Sequence, residues 1–342
     1  MIKTNKITLL GTLSMIIISL IVLCACNKST GKGINKSGTA LTAWTNAKLK
    51  FELDSGEGYT SIAFSPDGKT LATGSTTGLM TWDVASGKKL INFYNYSNHL
   101  AYSLDGKVLA SLDICSGNKR DIKLWDVVTG NELRTLSGIN WKNTFFTFSP
   151  DGKTLVSGGS NFGEIRFWDY ASGQIVKKLN NINEGLLEAL SPDGRILATF
   201  IYDRNVILWD AASGTKMKEL NGSDYKEIYS FAFSPDWKTM AINDSNSDGN
   251  IKLYNVVSGE ELKTLKGAGH SFLSALTYSP DGSVLVLGER IDNAIKILDL
   301  NSDQCKTIFN THDTPTSVAI SPDGKYLAAG DSTGYVAVWE LP

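Results

Sequence analysis

At 342 residues, with 42% hydrophobic side chains and a formal net charge of −2, the chain can bury a substantial core. That composition excludes an intrinsically disordered protein, and the absence of any basic run argues against nucleic acid as a partner. Four cysteines in 342 residues are too few for a disulfide framework.

In chain order, the first element is Met1-Ile-Lys-Thr-Asn-Lys6, a basic start, followed by an apolar run of 17 residues from Ile7 to Leu23, short for a spanning helix. It ends in Leu23-Cys24-Ala25-Cys26. This segment resembles a bacterial lipoprotein signal, in which a cysteine after a small residue is lipidated and becomes the new N-terminus. The resemblance assigns residues 1–25 as a removed signal peptide and Cys26 as the lipidated residue. It implies a protein held at the cell membrane on the extracytoplasmic face. Processing would leave 31 basic and 35 acidic side chains, net −4. Residues 26–47 hold the lipidated cysteine and a flexible tether rich in Asn, Lys, Ser, Thr and Gly; Trp44 is expected to dock on the folded part. Cys115 and Cys305 are expected to be far apart and unpaired.

From residue 48 onward the chain repeats. Ser65-Pro-Asp-Gly recurs as Ser103-Leu-Asp-Gly, Ser149-Pro-Asp-Gly, Ser191-Pro-Asp-Gly, Ser234-Pro-Asp-Trp, Ser279-Pro-Asp-Gly and Ser321-Pro-Asp-Gly, at steps of 38 to 46 residues. Each copy is followed 17 to 22 residues later by a second mark: Trp82-Asp83, Trp125-Asp126, Trp168-Asp169, Trp209-Asp210, Tyr254-Asn255, Leu298-Asp299 and Trp339-Glu340. Pro-Asp-Gly between apolar runs is a tight turn, so each copy marks a hairpin of strands a and b. The second mark ends strand c, and a Ser-Gly or Thr-Gly pair then leads to strand d. Trp237 occupies the glycine position of its turn and predicts either another turn or strain there. Seven copies supply strands a to c, but only six are followed by a strand d. Lys48 to Leu53 is the segment left to complete the seventh.

These repeats resemble WD40 repeats over residues 48–342, a period expected of four short strands per blade. The resemblance implies an all-β fold: a seven-bladed β-propeller of four-stranded antiparallel blades, closed by an N-terminal outer strand joining the last blade. WD40 repeats often carry a hydrogen-bonded set of histidine, strand-b Ser or Thr, strand-c Trp and b–c turn aspartate. Asp203, Asp248 and Asp292 match that aspartate, each six residues before the Trp position. His270 and His312 match the histidine, each nine residues before the turn serine. No blade has the complete set, so packing is expected to carry more of the rigidity.

Sequence patterns for chemistry fall short. Gly330-Asp-Ser332-Thr-Gly334 has the G-x-S-x-G pattern but lies in a b–c turn rather than between strand and helix. Asp244-Ser-Asn246-Ser-Asp248-Gly249 opens like a calcium loop, yet Lys252 and Asn255 occupy later ligand positions. His99, His270 and His312 lack metal-ligand spacing, so neither metal nor cofactor is expected. The a–b and c–d turns are nearly uniform, whereas the d–a and b–c loops vary in length and chemistry. Variable loops on a rigid scaffold are where binding residues sit. Tyr59, Trp141, Phe162, Tyr202, Arg204, Tyr225 and Arg290 are the candidate partner-binding residues. The reading is a non-catalytic scaffold for a protein or peptide at the cell envelope. Its rivals are a propeller enzyme of the lactonase, glycosidase or quinone-dependent dehydrogenase type, and a binder of envelope glycan. An enzyme would gather carboxylates from among Asp203, Asp244, Asp248, Glu289, Asp292 and Asp331.

Overall fold

A computed structural model describes residues 44–342, except 59, 94, 96, 98, 114–120, 139–143, 160–163, 181, 183–185, 202–204, 222–227, 245–249 and 267–272. The strands form seven four-stranded antiparallel sheets, the blades of a propeller. Blade 1 runs Ser61–Phe64, Thr70–Gly74, Leu79–Asp83 and Lys89–Asn92 as strands a to d. Strands a of blades 2 to 6 are Leu100–Tyr102, Thr144–Phe148, Leu186–Leu190, Ile228–Phe233 and Leu273–Tyr278. Blade 7 takes Pro315–Ile320, Tyr326–Asp331 and Tyr335–Glu340 from the C-terminal repeat, and Lys48–Asp54 from the opposite end of the chain as its outer strand. The ladder runs from Lys48 opposite Glu340 to Asp54 opposite Tyr335, with one irregularity between Leu49 and Phe51. The strand count therefore closes the ring as expected.

Each hydrophobic cluster sits between two neighbouring blades. A blade buries both faces, which is why Val284–Glu289 and Pro315–Ile320 are buried at every position. The seam joins Leu53, Val336 and Val338 of blade 7 to Ile62, Phe64, Leu71 and Trp82 of blade 1. Each such aliphatic or aromatic side chain contributes roughly 1.5–3 kcal/mol when fully buried. Polar groups reinforce the seam. Thr60 Oγ1 donates to the Asp331 carbonyl at 3.1 Å, and Ser55 Oγ donates to the Gly334 carbonyl at 2.6 Å. The backbones approach so closely that a Cβ on Gly334 would run into the carbonyl oxygen of Gly56.

The tetrapeptide builds one turn seven times. In blade 1, Ser65 Oγ donates to Asp67 Oδ1 at 2.7 Å, and Oδ1 also accepts from Lys69 N at 3.1 Å. The glycine at the fourth position has φ between +66° and +72° in six copies. Trp237 adopts the same turn rather than another, with φ of +55° and its N–H on the Ser234 carbonyl at 2.8 Å. The strain is offset by stacking on Phe233, with ring centroids 4.1 Å apart and planes 2° from parallel. Trp237→Gly should therefore destabilise. Relief of the left-handed backbone returns about 1–2 kcal/mol, whereas losing a buried indole costs about 3–5 kcal/mol. Urea unfolding should show a net loss of roughly 2 kcal/mol; an unchanged or raised midpoint would mean that backbone strain dominates.

Two further devices tie the ring. In blades 1 to 4 the strand-c Trp donates its indole N–H to strand b: Trp82 to Thr73, Trp125 to Ser111, Trp168 to Ser157 and Trp209 to Thr199, at 2.8–2.9 Å. The equivalent strand-b positions in blades 5 to 7 are Ile242, Leu287 and Ala329, which offer no hydroxyl. Trp339 instead stacks on Phe309 of blade 6 at 4.2 Å. The second device links each strand d to the next c–d turn. Phe51 packs over Gly87 and Ile91 over Gly130. Arg134 donates to the Ala171 carbonyl, Lys177 to that of Ala211 and Lys218 to that of Ser258, at 2.5–2.8 Å. Lys263 pairs with Asp303, which holds the turn-closing position at φ +58°. Trp44 docks as expected, against the blade 6–blade 7 cluster that contains Trp339 and Leu341.

Candidate functional site

The two faces of the ring differ in kind. On one, the a–b and c–d turns consume their own polar groups. Hydrogen bonds from the Ser86 hydroxyl and backbone N–H hold the Asp83 carboxyl below its usual range, and Asp126, Asp169 and Asp210 are lowered by the same kind of contacts. On the other face the loops bond to one another from blade to blade. Thr311 donates its backbone N–H to the Asn293 carbonyl at 2.8 Å, and Ser332 N donates to Thr314 at 2.9 Å. Gly334 accepts from Ser55, Ser75 Oγ donates to the Ser55 carbonyl at 2.8 Å, and Ser97 N donates to Ser75 at 3.0 Å. The belt runs from the b–c turn of blade 6 through blades 7 and 1 into blade 2.

His99 extends this belt into blade 3. It is buried, and its Nε2 sits against the Phe146 backbone, 2.9 Å from the carbonyl oxygen and 3.3 Å from the amide nitrogen. Its ring meets those of Phe145 and Phe146 edge to face, with centroids 5.3 and 4.5 Å away. Desolvation pushes its pKa down to about 4, so the ring is neutral at pH 7.

The belt presents several side chains to solvent, Asp54, Glu57, Thr76 and Thr77 among them. Arg290, Ile291 and Asp292 are exposed in the blade 6 turn, with Asp292 3.7 Å from Lys296. Tyr335 is 45% exposed at the start of its strand, its ring 4.9 Å from that of His312. His312 lies 3.8 Å from Glu52 with its side chain 56% exposed. His312 does not enter a buried set with strand b, as its position in the repeat implied, because Thr311 and Thr314 tie its loop outward to Asn293. Asp292 belongs to a blade whose Trp position is Leu298, so it has no indole to support.

Of the partner-binding candidates, Arg290 is placed on this face. Tyr59, Trp141, Phe162, Tyr202, Arg204 and Tyr225 lie outside the described residues, as do Asp203, Asp248, His270, Cys115 and Cys26. Sequence reasoning missed Ile291, Tyr335 and His99. The first two were legible as an apolar side chain in a b–c turn and an aromatic one at a loop-facing strand end.

Asp331 and Glu289, among the acidic candidates, are committed to structure. Asp331 is buried, and its Oδ1 accepts from Thr333 N, Thr333 Oγ1 and Tyr335 N at 2.7–3.2 Å. Glu289 is buried against Lys296. Gly330 to Gly334 joins two antiparallel strands, the geometry of a b–c turn and not of a nucleophile elbow. Burial pushes the Cys305 thiol up to about 11, well above a reactive range.

Comparison with known proteins agrees with this geometry. The WD domain, G-beta repeat family matches residues 49–83 and 303–340, the two stretches that contribute strands to the seam. These two stretches are WD40 repeats, and the chain folds as a seven-bladed β-propeller. The chain is 31% identical over 138 residues to the small ribosomal subunit protein RACK1z of Oryza sativa subsp. japonica, covering 33% of itself and 36% of that protein. It is 28% identical over 221 residues to the human serine-threonine kinase receptor-associated protein, covering 64% and 60% respectively. It is also 28% identical over 103 residues to a WD repeat-containing protein of Synechocystis, covering 29% of each. The matched segments thus span between about a third and three fifths of these relatives. Two of the names denote proteins that assemble with others, in a ribosomal subunit and on a receptor.

Proposed function

We propose that this WD40 propeller is a lipid-anchored, extracytoplasmic scaffold that binds a protein or peptide through its d–a/b–c face without catalysing a reaction. The observation that carries the reading is the contrast between the faces. One repeats the same self-satisfied turns, and the other holds loops of differing chemistry in a bonded belt. Rigid loops lose little freedom on binding, so the interactions they make are not spent on ordering them. Exposed Tyr and Arg, here Tyr335 and Arg290, are side chains that dominate interface energetics. Asp331, Glu289 and Asp292 on this face already serve a turn or an ion pair, which favours binding over catalysis. The assembly roles in the names of its relatives point the same way. The anchor rests on Cys26 and the apolar run before it.

Two measurements test the proposal. Growth with a labelled fatty acid should tag the full chain but not Cys26→Ser. Detergent-extracted full-length protein should retain a specific partner that is lost on Arg290→Ala/Tyr335→Ala or on Trp141→Ala/Tyr202→Ala/Arg204→Ala/Tyr225→Ala. Loss of about 10-fold or more in affinity is expected from removing hot-spot side chains. Equal retention by parent and variants would remove this face from the reading.

A further inference from the structure

The chain joins the ring on the a–b/c–d side. Lys48 faces Glu340 at the end of strand c, and the closing strand then runs to Asp54 at the b–c turn. Trp44 and Ala47, just before it, pack on the blade 6–blade 7 cluster at that same end. The described chain therefore begins, at Trp44, on the side of the uniform turns.

That side has a surface of its own. Lys69, Lys107, Lys153, Arg195, Lys238 and Lys325 occupy one position, four residues after the turn serine, in six of the seven a–b turns. The seven turn aspartates balance these six cations in number and lie 3.2–3.9 Å away in five turns, but they are held inward by the serine and backbone N–H groups. The cations project further, with side-chain exposures of 69–84% against 41–59% for the aspartates. Apolar side chains join them. Val128 and Val257, 83% and 80% exposed, stand in c–d turns. Leu90, Leu133, Val176, Met217 and Leu262 are each the bulged residue of strand d, next to the partner of the Trp position. With Leu49, eight of the ten exposed large apolar side chains among the described residues lie at this edge.

We infer that the a–b/c–d face docks on an anionic lipid bilayer, the basic crown meeting headgroups and the apolar edge entering the interface, so that the d–a/b–c face points away from the membrane. The docking surface stands on the turns and strand ends alone; only the outward orientation in the cell rests on lipidation at Cys26. Basic side chains near an anionic surface and apolar groups in the headgroup region both favour such contact.

The test uses the processed chain from residue 26. With Cys26→Ser it should cosediment with vesicles of phosphatidylcholine and phosphatidylglycerol, and less with phosphatidylcholine alone. Binding should weaken at high salt. Lys107→Glu/Lys153→Glu/Arg195→Glu should reduce it by about 10-fold or more, with unchanged circular dichroism. In the acylated chain, made Cys115→Ser/Cys305→Ser, a fluorophore at Lys153→Cys should be quenched by spin-labelled lipid, and one at Thr76→Cys should not. Equal binding by parent and triple variant, or equal quenching of the two labels, would overturn the inference while leaving the anchor intact. Charge-dependent binding without fatty acid on Cys26 would support it and reject the anchor.

Discussion

Removing residues 44–54 is expected to lower the unfolding free energy by more than about 5 kcal/mol, a large part of the 5–15 kcal/mol typical of a folded domain. The loss has three sources. Leu53 is 4% exposed within the seam cluster, and a buried leucine lost from a core costs about 2–5 kcal/mol. Phe51, which packs over Gly87 of blade 1, and Trp44 go with it. Tyr335–Glu340 also becomes an open edge with Val336 and Val338 uncovered, and such an edge pairs with other chains. Urea unfolding should show an earlier midpoint, and size-exclusion chromatography should show dimers or larger species. Leu53→Asp is the milder version, expected to cost about 3–5 kcal/mol by placing a carboxylate where no partner waits. A truncated chain that stays monomeric with the parental midpoint would mean that three strands suffice for blade 7.

His99→Leu should flatten the acid side of the stability curve. The folded pKa of His99 is about 4, depressed by desolvation from the ordinary 6.5. A depressed histidine contributes its full stability above pH 6.5 and loses it as pH falls toward 4, because the unfolded chain takes up the proton first. At about 1.36 kcal/mol per unit, the parent should lose roughly 2 kcal/mol between pH 7 and pH 5 through this one ring. The turn aspartates do not confuse the measurement. Their pKa values are lowered, as at Asp151 and Asp193 by the Ser149 and Ser191 hydroxyls, so their contribution is present above about pH 4 and falls away only below it. At pH 7 the leucine variant should be somewhat weaker than the parent, since the Phe146 backbone loses its imidazole partner. The two curves should converge toward pH 5. Parallel curves over that interval would show that His99 is reached by water or protonated in the folded protein.

Much of the fold was legible because its information is local and repeated. Ser-Pro-Asp-Gly specifies a turn without reference to the rest of the chain, and seven turns at one spacing leave a single strand unaccounted for, which Lys48–Asp54 supplies. Trp237 was legible as a conflict but not in its outcome, since the stack that sustains its backbone depends on where Phe233 points. His99 was hidden for a different reason. Its partner Phe146 is 47 residues away on another blade, and nothing local to Ser97–Leu100 encodes that distance. His312 had the spacing of the buried family position, yet loop bonds to Asn293 bring it to the surface. At the candidate site, sequence reasoning chose the face through its variability. Within that face it favoured residues by type, whereas exposure in a turn or at a strand end, as for Ile291 and Tyr335, depends on how adjacent loops meet.

The closing strand also decides how the molecule bears load. A pull between residue 48 and the opposite face acts lengthwise along Lys48–Asp54, so the ladder to Tyr335–Glu340 is stressed in shear and its hydrogen bonds resist together. A pull between the two chain ends acts instead where Lys48 and Glu340 sit side by side, and would peel the same ladder one pair at a time. One pairing thus makes the ring strong toward a partner held across it and weak toward its own termini.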